Sequence, residues 1–231
     1  MPTLVLAVVL GSVPCGELPL KPGSTWTYRA EVAWAAGGSD SARHQTLSWT
    51  TTLLTVRTSG SAVAATVLGW PTDLAWWEPE RTPTTSVIYC SGGQVYVLHP
   101  PSGTAAGVAT ALLRGEQRPA VDDLVLQFPL HTGQLFGRDA AERPDTFYAW
   151  FVAAAEPIPA AVRRLRSGLT DSLYSVIYRT LPDHTVVGFV PGLGVAHYVY
   201  MHHGTIAEAD AWLVAYHEGE VLNPETRSGG R

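Results

Sequence analysis

Residues 172–216 constrain the fold more than any other stretch. They read SLYSVIYRT, a Leu181-Pro182-Asp183 break, HTVVGFV, Pro191-Gly192-Leu193-Gly194, VAHYVYMHH, Gly204 and IAEADAWLVAY. Four runs rich in β-branched and aromatic residues, which suit a pleated surface, are separated by short gaps carrying glycine or proline. Together they predict an antiparallel sheet that forms from local contacts. Gly192, Gly194 and Gly204 are read as its turn glycines.

The same pattern recurs upstream. From Thr25, the residues Trp26, Tyr28, Ala30, Val32 and Trp34 alternate with Thr25, Thr27, Arg29 and Glu31. A period of two marks a half-buried strand. Residues 44–57 and 62–68 read as two more strands joined at Ser59-Gly60. Residues 85–90 and 94–99 flank Ser91-Gly92-Gly93 as a hairpin. Residues 124–126 are apolar and extended, and residues 147–154 are apolar on both faces and so read as a central strand. Residues 108–114 read as a short helix, and residues 160–166 as one helical turn or an edge strand. The fold class is therefore mainly β: a single antiparallel, strongly curved sheet or open barrel with one or two short helices. With 231 residues the chain is long enough to bury roughly 70% of its unfolded surface in one core.

The ends are read separately. Residues 1–16 open with the apolar, uncharged MPTLVLAVVL, too short for the ~20 residues of a spanning helix. They are taken as an export signal or N-terminal anchor, with a first β-strand as the alternative. Residues 17–217 form the domain, and the polar residues 218–231 are expected to be a disordered tail. Cys15 and Cys90 are the chain's two cysteines. They are read as unpaired thiols, with two alternatives: a Cys15–Cys90 disulfide in an oxidising compartment, or lipidation of Cys15.

Three segments carry a resemblance. PLKPGSTWTY (19–28), FPLHTGQLF (128–136) and VPGLGVAHYVYMHHGT (190–205) with AWLVAY (211–216) occur in this order. In that respect the chain resembles a group of uncharacterised bacterial exported proteins and lipoproteins, over residues 18–216. The resemblance implies a curved antiparallel sheet or open barrel outside the cytoplasm. It implies no activity and no catalytic residues. The chain departs from the group at Phe136, where tryptophan is more usual, and at Ser12-Val13-Pro14, a poor lipidation signal before Cys15. The first two segments share a Pro-Leu-x-x-Gly-x-x-aromatic entry, and Gly23 and Gly133 are expected to adopt positive φ there.

Several chemistries are missing. The sequence has no G-x-S-x-G, H-E-x-x-H, C-x-x-C or P-loop. Gly192-Leu193-Gly194 lies between strands and opens no helix, so it is no dinucleotide loop. A net charge of −5 gives no reason to expect nucleic acid. His197, His202, His203 and His217 are close in sequence, with Asp210 placed across the ladder from His197. Adjacent histidines on a strand point to opposite faces, so these are read as ordinary strand residues. No metal or cofactor is expected, and the protein is read as a non-enzyme.

What remains is recognition. Charged residues make up 15% of the chain against about 25% in typical soluble domains, which points to a surface partly covered by a partner, lipid or membrane. Residues 69–84 hold Trp70, Trp76 and Trp77 among Pro71, Pro79 and Pro83. Such a loop can dock on a partner, line a cavity mouth for an apolar ligand, or cap its own sheet. Arg163, Arg164 and Arg166 are candidate contacts to an acidic partner or anionic head groups, or a solvated run. The leading reading is an extracytoplasmic binding or accessory subunit contacting a protein partner or membrane-associated complex. The alternative is a carrier of an apolar ligand in a half-barrel cavity, and a hydrolase or metalloenzyme is a remote third.

Overall fold

The computed structural model describes residues 15, 17–35, 41–137, 145–170 and 172–219. The expected export signal and most of the polar tail lie outside the described residues. Twelve strands form one antiparallel sheet: β1 (Thr25–Ala35), β2 (Ala42–Ser59), β3 (Ala62–Leu68), β4 (Thr85–Ser91), β5 (Gln94–Leu98), β6 (Leu124–Gln127), β7 (Leu135–Phe136), β8 (Trp150–Pro157), β9 (Ser172–Arg179), β10 (Asp183–Val190), β11 (Gly194–His202) and β12 (Ala207–His217). Two helices accompany them, α1 (Ala105–Arg114) and α2 (Ala160–Arg163).

The strand order is β6-β5-β4-β3-β2-β1-β12-β11-β10-β9-β8-β7. Every neighbour in it is also a neighbour in the chain, except β1 and β12. These two pair along their length, from Thr25↔His217 to Trp34↔Ala207. The sheet curls into a nearly closed barrel, and its edges are the consecutive strands β6 and β7. The connection between them crosses the seam, where Gln134 Nε2 donates to the Gln127 carbonyl at 2.8 Å.

Alternation along the strands fills the interior. Trp26, Tyr28, Ala30 and Val32 of β1 all point inward and are buried. The polar atoms of the large aromatics are satisfied by backbone. Trp26 Nε1 donates to the Leu193 carbonyl at 2.7 Å, and the Tyr28 hydroxyl donates to the Val195 carbonyl at 2.8 Å. An aromatic placed this way contributes its full apolar area without an unpaired dipole. The continuous apolar run of β3 has a different cause. Helix α1 covers the outer face of β3 and β4, where Ala64 and Val87, with Leu98 of β5, cluster with Ala105, Ala109 and Leu112.

Three expectations are corrected. Cys15 and Cys90 are not free thiols: they form a disulfide with Cα atoms 5.8 Å apart, and both are buried. Cys15 therefore belongs to the folded unit, and its sulfur is not available for a lipid thioether. Residues 218 and 219 are ordered parts of the fold. Glu218 Oε1 lies 2.9 Å from both Lys21 Nζ and Arg166 Nη2, and Gly219 N donates to Ser24 Oγ at 2.9 Å. β8 is not central but next to the seam, because its outer neighbour β7 pairs through only Leu135 and Phe136.

The turn glycines Gly23 and Gly133 have φ of +80° and +85° where the chain enters β1 and β7. Only glycine reaches that region without a Cβ penalty. Gly192, Gly194 and Gly204 also have positive φ, in the β10–β11 and β11–β12 turns.

Candidate functional site

Residues 69–84 leave β3 and return at β4, and both ends of the segment are tied together. Gly69 N donates to the Thr84 carbonyl at 2.9 Å. The buried Asp73 carboxylate accepts from Thr84 N at 2.8 Å and from its hydroxyl at 2.6 Å. Pro71 fixes φ at the start of a 3-10 turn over Pro71–Leu74, and Leu74 is fully buried. The loop is thus a closed-necked structure seated on the barrel.

The three indoles separate into three roles. Trp77 is 7% exposed and meets Trp49 edge to face, with ring centroids 5.9 Å apart. Trp76 is 46% exposed. Its backbone φ is +54° and its carbonyl accepts from Arg81 Nη1 at 2.9 Å. The Trp76 ring lies 4.3 Å from the His202 ring and 6.1 Å from that of Tyr200. Trp70 is half-buried and faces a cavity of about 290 Å³ beneath the loop.

That cavity reaches across the barrel mouth. The loop contributes Trp70, Pro71 and Ala75. The β5–β6 side contributes Val97, Val125 and Leu126, and the opposite side Trp150, Val187, Tyr198 and Tyr200. His99, Asp122 and Asp123 are among its polar lining. Partial burial lowers the His99 pKa against the opposing pull of Asp73 and Asp123. Its Nδ1 lies 3.0 Å from Ser86 Oγ and its Nε2 3.3 Å from Thr72 Oγ1, so a neutral ring fits between two hydroxyls.

Beside the mouth, Asp183 gathers a polar network. Its Oδ1 accepts from the Tyr200 hydroxyl at 2.6 Å and from His202 Nδ1 at 3.0 Å, and Thr180 Oγ1 lies 3.3 Å from Oδ2. Burial raises the Asp183 pKa, but the hydrogen bonds from Tyr200, His202 and Thr180 outweigh it and hold the carboxyl below its ordinary range. A depressed carboxylate contributes stability that is complete above the unfolded pKa, about 3.9, and is lost as pH falls through the folded value. Asp183→Asn should therefore be less stable than wild type at neutral pH. In urea unfolding measured from pH 7 down to pH 2.5, the gap should close below about pH 4. A gap that stays constant across this range would remove Asp183 as the titrating group.

The remaining sequence candidates disperse. Arg163 and Arg164 are exposed at α2. Arg166 does not belong to a solvated run. It is half-buried, donates through Nη1 to the Gly192 carbonyl, pairs with Glu218 and lies over the Tyr216 ring at 5.6 Å. His202 faces the Asp183 network, whereas His197 lies on the outer face. There His197 Nε2 donates to Asp210 Oδ1 at 2.9 Å and the ring stacks on Trp212 at 3.8 Å. Among the described residues, no three His, Cys, Asp or Glu side chains are placed to hold a metal ion.

Sequence reasoning found the loop but missed Trp150, Tyr198, Tyr200 and His99. These sit on separate strands or strand ends, and no spacing links them; only the rolled sheet brings them to one cavity.

No family model and no curated protein matches the sequence. Among solved structures, the chain is similar to a candidate exported protein with YmcC-like fold from Bacteroides fragilis, at 9% identity and a TM-score of 0.43, covering 87% of this chain and 98% of that one. It is also similar to a candidate lipoprotein from Parabacteroides distasonis, at 9% identity and a TM-score of 0.35, covering 87% of this chain and 97% of that one.

Proposed function

We propose that the protein is a non-enzymatic, extracytoplasmic binding protein that holds a small, largely apolar ligand in the cavity beneath residues 69–84. The observation that carries this reading is the cavity itself. At about 290 Å³ it lies at the lower end of the usual range of small-molecule sites, and its walls are apolar and aromatic with a few polar groups, as such sites are. The Cys15–Cys90 disulfide supports the compartment, because disulfides persist where the surroundings are oxidising. Non-enzymatic action is supported by how the neighbouring polar groups are used. Asp183, His202 and His99 are engaged with one another or with hydroxyls, and Ser86 is fully buried beside His99. A partner-docking role for the loop would rest on Trp76 alone, since Trp77 is buried and Trp70 faces the cavity.

The test is to fill the site. Val187 lines the cavity from β10 and is 8% exposed. Neutral N-phenyl-1-naphthylamine, whose emission rises in apolar surroundings, should bind the wild type. Val187→Trp should bind it about tenfold more weakly, a difference of 1.4 kcal/mol. A Val187→Trp variant that melts like wild type and binds the dye equally well would remove the cavity as the site.

A further inference from the structure

The β9–β10 turn carries a second cavity, of about 280 Å³. Alternation along β10 separates it from the first. Thr185 and Val187 line the cavity beneath residues 69–84, whereas His184 lines this one. The backbone sets its walls. Arg179 and His184 are direct partners across β9 and β10, so they share a face with Cβ atoms roughly 5 Å apart. Phe147 bridges to Arg179 from the other side, and His203 N donates to the Pro182 carbonyl at 2.6 Å, which holds the end of β11 against the turn.

Three nitrogen-bearing side chains therefore line one small space: Arg179, His184 and His203. His184 Nε2 is buried and, among the described residues, has no hydrogen-bond partner. Buried polar atoms are normally paired, and one left unpaired beside a cavity points to a ligand atom as its partner. Arg179 forms no ion pair among the described residues, so its guanidinium is not committed elsewhere. Burial, and then the charges of Arg179 and His203, lower the His184 pKa, and an anion in the cavity would offset both charges. Asp183 is the one acidic residue of the lining. Its carboxylate is turned to the Tyr200 hydroxyl and His202 Nδ1, with Thr180 Oγ1 as a third donor. The turn also supplies an apolar surface, since Leu181 is 76% exposed and lines the cavity together with Phe147.

We infer that this cavity binds a phosphate group carried on an apolar body, with the phosphate oxygens met by Arg179, His184 and His203 and the body resting on Leu181 and Phe147. A carboxylate has one edge, which the guanidinium fork fills alone. A phosphate presents oxygens on several sides, and donors from three segments match it. The site stands apart from the cavity beneath residues 69–84 and does not depend on it.

The experiment uses the full chain with its disulfide intact. Hexyl phosphate, inorganic phosphate and hexan-1-ol are titrated at pH 7 and fixed ionic strength while the imidazole signals of His184 and His203 are followed by NMR. Hexyl phosphate should shift both and bind more tightly than inorganic phosphate, with hexan-1-ol weakest. Arg179→Gln should weaken hexyl phosphate about tenfold, and His184→Phe several-fold. Arg164→Gln, which removes the same charge from an exposed position beside α2, should change it by no more than about twofold. The inference is overturned if neither phosphate moves the His184 signals, if hexan-1-ol binds as tightly as hexyl phosphate, or if Arg164→Gln weakens binding as much as Arg179→Gln. Vesicles of phosphatidylglycerol and of phosphatidylcholine then identify the source. Flotation with phosphatidylglycerol that Arg179→Gln and Leu181→Ser both weaken assigns the phosphate to a lipid headgroup, and otherwise it belongs to a free ester.

Discussion

Trp77→Ala should lower the unfolding free energy by about 3–5 kcal/mol, the usual cost of deleting a buried indole. The ring is 7% exposed, packs edge to face on Trp49 and anchors the closed loop on the barrel. Trp76→Ala should cost about 1 kcal/mol or less, because its ring is 46% exposed and rests on His202 from outside. Trp77→Phe is the useful intermediate. Among the described residues the Trp77 indole N–H is buried without a partner, so phenylalanine removes an unpaired donor together with part of the packing. It should therefore fall between wild type and alanine. Urea denaturation of the three variants checks the order. Equal losses for Trp76→Ala and Trp77→Ala would show that the two indoles share one role.

Reduction of the Cys15–Cys90 disulfide should cost about 4 kcal/mol. The two cysteines are 75 positions apart in sequence, and the chain-entropy model assigns about that value to a loop of this length. The bond ties the stretch before β1 to β4 and so encloses β1–β3, which pair in sequence from β1 to β4. Denaturant midpoints with and without reductant, compared with the Cys15→Ala/Cys90→Ala double variant, test the expectation. A midpoint unchanged by reductant, with both thiols shown to be free by labelling, would mean that the cross-link adds nothing to stability.

Much of the sheet was legible because its signal is local. The alternation from Trp26 to Val32 named the inward face of β1, and the punctuation at Pro182, Gly192 and Gly204 placed the four strands of the C-terminal meander. Other features needed information that no window of sequence holds. The β1–β12 pairing joins residues almost two hundred positions apart and has no periodicity of its own. The apolar run of β3 gave no hint that a helix covers its second face. Two cysteines fix no pairing until the fold brings them together. In the site, three tryptophans in a proline-rich loop were visible, but their roles were not. The positive φ of Trp76 turns its ring outward onto His202 while its neighbour Trp77 is buried, a difference set by backbone conformation and not by residue type. The cavity was less legible still, since Trp150, Tyr198 and Asp123 meet only because the sheet curls.

The pairing of β1 with β12 also sets how the barrel yields to tension. Thr25 and His217 face each other at one end of the ladder, and Trp34 and Ala207 at the other. A pull on Thr25 and His217 acts across the strands and not along them. It loads the rungs one after another, beginning with the Gly219–Ser24 and Glu218–Lys21 ties beside the first, so the ladder peels open instead of shearing as a block. Tension that enters through Cys15 takes another route. The disulfide passes it to Cys90 on β4, so it does not enter the ladder at Thr25 until that bond is reduced.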